Sequence, residues 1–245
     1  MRASYVFLVS ALLIVSPSSL GSVSPAHFGK YAERFAKKIK LPKDFEFGEE
    51  ITIRCSGYAD RSGVFVPRYC DAPEDVEYAI VVKTQRWKRP INAAKVNKRR
   101  RSAWFQFSVR VRRSDAGDRV TLTMNHGHSR DKFGDDYTAP QIYRFVSMRK
   151  DPCPLEHTVK VAGVVGTDGR AKSAKVIASD APKNCNLEKL RFFANSVYIP
   201  AHHDGSPVEA PLIMRFVRQR GAKRSRIPIH REDTLSSVMR EGYTF

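Results

Sequence analysis

A chain of 245 residues with 42% apolar and 28% charged residues has a globular composition, which excludes a disordered or low-complexity protein. Its formal net charge of +18 and isoelectric point near 10.0 favour polyanionic surroundings such as nucleic acid, anionic lipid head groups or acidic glycans.

The first residues narrow that list. Met1-Arg2, an apolar run over residues 5–15 and the small-residue exit "SPSSLGSVSPA" form the pattern of a secretory signal peptide over 1–21, with cleavage expected after Gly21. The apolar run falls short of the roughly 20 residues needed to cross a bilayer. Residues 22–45 read as an amphipathic helix and linker: Phe28, Tyr31, Phe35 and Ile39 share one helical stripe, expected to pack on the neighbouring domain, and Pro42 ends it.

Residues 46–150 read as an N-terminal α+β domain. "EEITIRCSGYADRSGVFVPRYC" is two strands around a turn at 60–63. "APEDVEYAIVVKTQRW" can start a helix at Pro73, Glu74 and Asp75, although its valine-rich centre leaves a strand open. Pro90 breaks the pattern, and "KVNKRRR" follows as a charged loop. "SAWFQFSVRVRR" alternates, with Phe105, Phe107, Val109 and Val111 on one face and Gln106, Ser108 and Arg110 on the other. "RVTLTM" is a further strand, "NHGHSRDKFGDDYTAP" a long loop, and "QIYRFVSMR" a last strand or a link.

Residues 151–221 then repeat the plan. "HTVKVAGVVGTDGRAKSAKVIAS" is two strands around Asp168-Gly169. "NLEKLRFFANS" is a short helix, with Leu187, Leu190, Phe193 and Ala194 as its stripe. "VYIPA", a polar loop and an alternating strand follow, and 222–245 is a basic tail. Both halves run strand, turn, strand, helix, proline, polar loop, long strand, so the N-terminal half reads as a diverged copy of the second. The expected fold class is α+β: two small domains, each a short antiparallel sheet with a helix packed on one face.

Four cysteines, Cys55, Cys70, Cys153 and Cys185, include no Cys-x-x-Cys pair, which gives zinc little support. An even count in an exported chain reads as two disulfides. Three connectivities are open; the local one, Cys55–Cys70 with Cys153–Cys185, keeps each bridge within one segment. Bridges of this loop length contribute about 3–4 kcal/mol each in the chain-entropy account.

Over residues 155–219, "VVGTDGRAKSAKV", "NLEKLRFFANS", "VYIPA", "DGSPVEA" and "PLIMRFV" occur in the order that resembles the C-terminal domain of the TonB family. The resemblance implies a final strand whose edge pairs with an extended peptide from an outer-membrane receptor, main-chain hydrogen bonds supplying affinity. On this strand Val208, Ala210, Leu212, Met214 and Phe216 are expected to face the helix. Glu209, Ile213, Arg215 and Val217 are expected to face outward, at the partner-binding edge. Pro211, which lacks an N–H, suits a strand with a free edge. The family's long proline-rich spacer and a lasting membrane anchor are not expected in this chain.

Catalysis has little support. His202-His203-Asp204, and His126-x-His128 with Asp131, lack the spacing of known metal sites, and neither a Gly-x-Ser-x-Gly elbow nor a glycine-rich phosphate loop is present. No cofactor and no metal are expected. The basic runs, with Lys98, Arg99, Arg100, Arg101, Arg110 and Arg112 as the candidate surface, read as a solvated face or as a contact for lipopolysaccharide, phospholipid or peptidoglycan. Nucleic acid is the least expected partner of an exported chain. The expected function is therefore periplasmic, non-catalytic binding of an envelope protein or receptor peptide at a strand edge, with a TonB-dependent outer-membrane receptor among the candidate partners and a homodimer a further candidate occupant of that edge. Polyanion binding is the alternative.

Overall fold

The protein is described by a computed structural model covering residues 21–85, 91–114, 117–124, 132–134, 136–145 and 152–218. The signal segment before Gly21, the basic tail, and His126, His128 and Asp131 lie outside these residues.

A two-residue strand, β1 (Val23–Ser24), leads into the apolar stripe. Gly29, at φ +51, breaks the expected helix, leaving a 3-10 turn (Gly29–Tyr31) and a short α1 (Ala32–Ala36). The stripe is nevertheless buried at Phe28, Phe35 and Ile39, and the Phe28 ring meets Phe65, Phe105 and Phe107 edge-on at 5.1–5.9 Å. Burying such rings is worth about 1.5–3 kcal/mol each. The segment is thus part of the first half's core.

Strands β2 (Glu50–Ala59) and β3 (Phe65–Cys70) form the first hairpin. Asp60 organises its turn, its carboxylate accepting from the backbone N–H groups of Ser62 and Val64 at 2.8 and 2.9 Å. α2 (Glu74–Gln85) follows with Glu74, Asp75 and Glu77 in its first turn, where the helix dipole favours carboxylates. The segment expected to be a charged loop is instead a tight hairpin, β4 (Ala94–Val96) and β5 (Arg99–Arg101). Asn97 and Lys98 turn it, both with positive φ (53° and 63°), as a two-residue hairpin turn with the right twist requires. Then come β6 (Ala103–Arg112), β7 (Arg119–Thr123) and β8 (Gln141–Arg144). The second half supplies β9 (His157–Val165), β10 (Ala171–Ser179), α3 (Lys183–Asn195), β11 (Val197–Ile199), β12 (Ala201–His203), β13 (Ser206–Val208) and β14 (Ala210–Arg218).

The two halves have the same connectivity. In each, the first hairpin strand pairs with its turn partner on one side and with the final long strand on the other, giving β3-β2-β6 and β10-β9-β14. Each helix packs on the second hairpin strand, and a small hairpin, β4–β5 or β12–β13, precedes the last strand. The turns agree bond for bond: Gly63 N–H donates to the Asp60 carbonyl and Gly169 N–H to that of Gly166, both at 3.0 Å. Both glycines have positive φ. Their carbonyls accept in turn from the segments that follow the helices, from Ile91 N–H at 2.7 Å and Tyr198 N–H at 2.9 Å. A lead-in segment flanks each half in the same way, Ser24 opposite Lys95 and Thr138 opposite His202.

The halves also interlock. β8, on the N-terminal side of the expected boundary at residue 151, pairs both with β6 (Trp104 opposite Ile142) and with β11. One six-stranded sheet, in the order β11-β8-β6-β2-β3 with β7 beside β6, therefore draws strands from both sides of that boundary. Trp104 and Ile142 belong to the core of the second half, with Phe192, Phe193, Tyr198 and Met214. The Gln141 side chain, fully buried, accepts from Ala26 N–H at 2.8 Å and donates to its carbonyl at 2.7 Å, tying one lead-in segment to the other. The disulfides take the local connectivity: Cys55–Cys70 bridges β2 and β3, and Cys153–Cys185 joins the segment before β9 to α3.

Candidate partner-binding edge

β14 alternates as its sequence dictates. Ala210, Leu212, Met214 and Phe216 are buried; the Phe216 ring stands edge-on to Phe192 of α3 at 5.6 Å. Val208, in β13, is half-buried. Pro211 and Ile213 are exposed and Arg215 half-buried on the opposite face, while Val217, expected to be exposed there, is buried. Glu209 precedes the strand, and its carboxylate pairs with the exposed Lys172 ammonium of β10; this hydrogen bond and charge hold Lys172 above its usual range.

The strand lies at the end of its sheet, β9 being its one partner among the described strands. Gln106, on the outer face of β6, donates from Nε2 to the Ile213 carbonyl at 2.8 Å. That bond identifies the outward main-chain groups: in a regular strand they belong to alternate residues, here 211, 213, 215 and 217. Arg215 is anchored further along. Its guanidinium donates to the Tyr69 hydroxyl at 2.7 Å and to Asp71 at 3.2 Å, and lies over the Tyr69 ring. Burial pushes the Tyr69 hydroxyl above its ordinary value, and the Arg215 charge partly offsets this. The first part of the edge thus rests against the outer face of the first half, over a small apolar cleft lined by Trp104, Gln106, Ile142, Leu212 and Met214.

The matching edge in the first half is occupied. β7 pairs antiparallel with β6 from Ser108 to Arg112. Ala103 and Ala210 hold the same place in the two sheets, each opposite the last residue of the first hairpin strand. Counting from them, Ser108 corresponds to Arg215. The stretch of β14 from Arg215 onward therefore carries no strand, among those described, at the place where the chain itself supplies one to β6.

The basic residues divide into two groups. Lys98, Arg99, Arg100 and Arg101 are exposed on the β4–β5 hairpin. Arg110 and Arg112 lie on the outer face of β6, where Arg110 pairs with Glu50 at 2.5 Å. Of the loop histidines, His202 is buried and bonded through Nδ1 to the Pro200 carbonyl at 3.0 Å, and His203 lies 3.6 Å from Asp204. The ligand atoms of Cys153, His157 and Cys185 fall within 4.8 Å of one another, but the two sulfurs are spent on their disulfide.

Tyr69, Asp71 and Gln141, which fix the geometry around the edge, carry no signal in the sequence; each looks like an ordinary polar residue at a strand end. Comparison with protein-family models, with curated proteins and with solved structures finds no match to this chain.

Proposed function

We propose that this is a non-catalytic binding protein of the periplasm, built from two TonB C-terminal-like repeats, that takes an extended segment of an envelope protein or outer-membrane receptor onto the edge of β14. The carrying observation is internal: the first repeat's last strand accepts β7 in cis at the position where β14, from Arg215 onward, has no strand beside it among the described residues. Strand addition draws its affinity from main-chain groups and its selectivity from alternate side-chain positions, so the partner needs no conserved charge. Two disulfides, with no free cysteine, fit an oxidising compartment, and among the described residues no helix is long and apolar enough to cross a membrane. Ile213 and Arg215 would flank the docked segment, and Val217 would supply an outward N–H to it.

Site-specific photo-crosslinking in cells tests this, with the probe at the exposed Ile213 and a control probe at the equally exposed Ile177 on β10. A discrete adduct with another envelope protein is expected from 213 alone. Val217→Pro removes one outward N–H without touching the pairing to β9 and is expected to abolish the adduct, circular dichroism confirming that the fold survives. An adduct formed equally from 177, or one that persists in the proline variant, would remove strand addition as the mechanism. An adduct with a second copy alone would make the edge a dimer seam.

A further inference from the structure

At the far end of the first sheet from the interface with the second half, the solvent face carries a cavity of about 170 Å³ lined by Glu50, Arg110, Arg112, Arg119 and Thr121. Three adjacent strands deliver these side chains: Glu50 from β2, Arg110 and Arg112 from β6, Arg119 and Thr121 from β7. The register sets Glu50 opposite Arg112, Arg112 opposite Arg119, and Arg110 opposite Thr121.

This arrangement runs against ordinary sheet electrostatics. Like charges directly opposite each other across an antiparallel pair are destabilising, and Arg112 faces Arg119 in that way. Glu50 could have separated them but directs its carboxylate to Arg110, with which it is ion-paired. Neither the Arg112 nor the Arg119 side chain has an ion pair or hydrogen bond to a described residue. One residue further along, charge is used conventionally: Arg113 pairs with Asp118 at 3.8 Å and stacks on Phe47 at 4.2 Å. Two guanidiniums without a partner among the described residues are thus a local exception rather than the habit of this sheet.

We propose that this cavity is a binding site for a phosphate monoester, held by Arg112 and Arg119 from two sides. Three guanidiniums against one carboxylate leave two positive charges in excess, the charge a dianionic phosphate neutralises. Each planar fork donates two parallel hydrogen bonds to a tetrahedral oxyanion, so one group can occupy both arginines and cancel their repulsion. The Thr121 hydroxyl adds a donor at the rim, and Glu50 keeps Arg110 oriented while rejecting a ligand that would crowd β2. A lipid or glycan headgroup and a free phosphate metabolite share this chemistry. The inference does not rest on the strand-edge reading, because the two sites share no residue.

Titration of the full chain with inorganic phosphate at low ionic strength, followed by calorimetry, is the direct test. Saturable one-to-one binding is expected. Arg112→Gln with Arg119→Gln should weaken it at least roughly tenfold, since each removes charge-assisted hydrogen bonds. Arg99→Gln with Arg101→Gln takes the same charge from the β5 hairpin and should change it less than about twofold by screening alone. Vesicles of phosphatidylcholine with and without phosphatidic acid separate the sources. Phosphatidic acid binding that needs Arg112 and Arg119 assigns a headgroup; phosphate binding that needs them while vesicle binding does not assigns a soluble ester. Absence of saturation, or equal losses in the two double variants, would show a diffuse basic surface and overturn the site.

Discussion

A side-chain carbon on Gly163 would lie 2.3 Å from the Ser173 carbonyl oxygen and 2.4 Å from the Phe193 ring. Gly57, at the corresponding point of the first hairpin, would meet the Phe65 ring at 2.5 Å, with backbone no closer than 3.3 Å. A ring can turn aside at the cost of its packing, but a carbonyl of the neighbouring strand cannot move without disturbing the ladder. Gly163→Ala is therefore expected to cost about 1–3 kcal/mol and Gly57→Ala less, as midpoint shifts in urea unfolding. Equal losses would mean that ring displacement, not backbone contact, sets the penalty. The sequence announces the turn glycines, Gly63 and Gly169, through the turn residues around them, because a turn is a local matter. It is silent on Gly57 and Gly163, whose need is set by rings and strands brought close only by folding. The same holds for Gln141: its two bonds to Ala26 span half the chain, and nothing near it in sequence foretells them.

At the level of elements, the lead-in strands are the parts most exposed to a change of conditions. His27 exchanges main-chain bonds with Asn92 at 3.0 and 3.1 Å, and the Asn92 amide lies 3.3 Å from His27 Nδ1. That amide can donate only while Nδ1 is unprotonated. Burial holds the imidazole below its usual value, so the fold prefers the neutral ring. The stability this gives is complete above the ordinary value of about 6.5 and is lost as the pH falls through it and through the lowered folded value. The urea midpoint should therefore drop as the pH falls below about 6.5, and His27→Gln should make the drop shallower. An unchanged pH slope in that variant would exclude His27 as a source. Most elements were legible because hairpins and amphipathic helices announce themselves by period and turn residues. The β4–β5 hairpin was not: its turn is Asn97-Lys98, and a lysine at positive φ hides a turn that Asn-Gly would advertise. The expected helix over residues 28–39 is shortened because Gly29, at positive φ, interrupts it, a break that the apolar spacing does not register.

At the scale of the molecule, the shared plan of the two halves could be read from punctuation, but their joining could not. Charge and periodicity describe each half alone; β8 pairing with β11, and Trp104 entering the second core, depend on long-range register. The consequence is thermodynamic. Two small domains on a linker would unfold separately, each on its own stability, whereas a sheet that takes strands from both sides of the boundary couples them. Trp104→Ala removes a large buried ring from the second core while standing on β6 of the first, and truncations of this kind cost about 3–5 kcal/mol. In native-state hydrogen exchange, the slowest amides of β2 and β9 are expected to share one opening free energy and to lose the same amount in the variant. If β9 alone became less protected, the halves would be independent folding units in contact, and Gln106 and Arg215 would merely dock them. If both fall together, the halves form one cooperative unit, in which the first half covers the edge of β14 as far as Arg215 and guards that part against indiscriminate pairing.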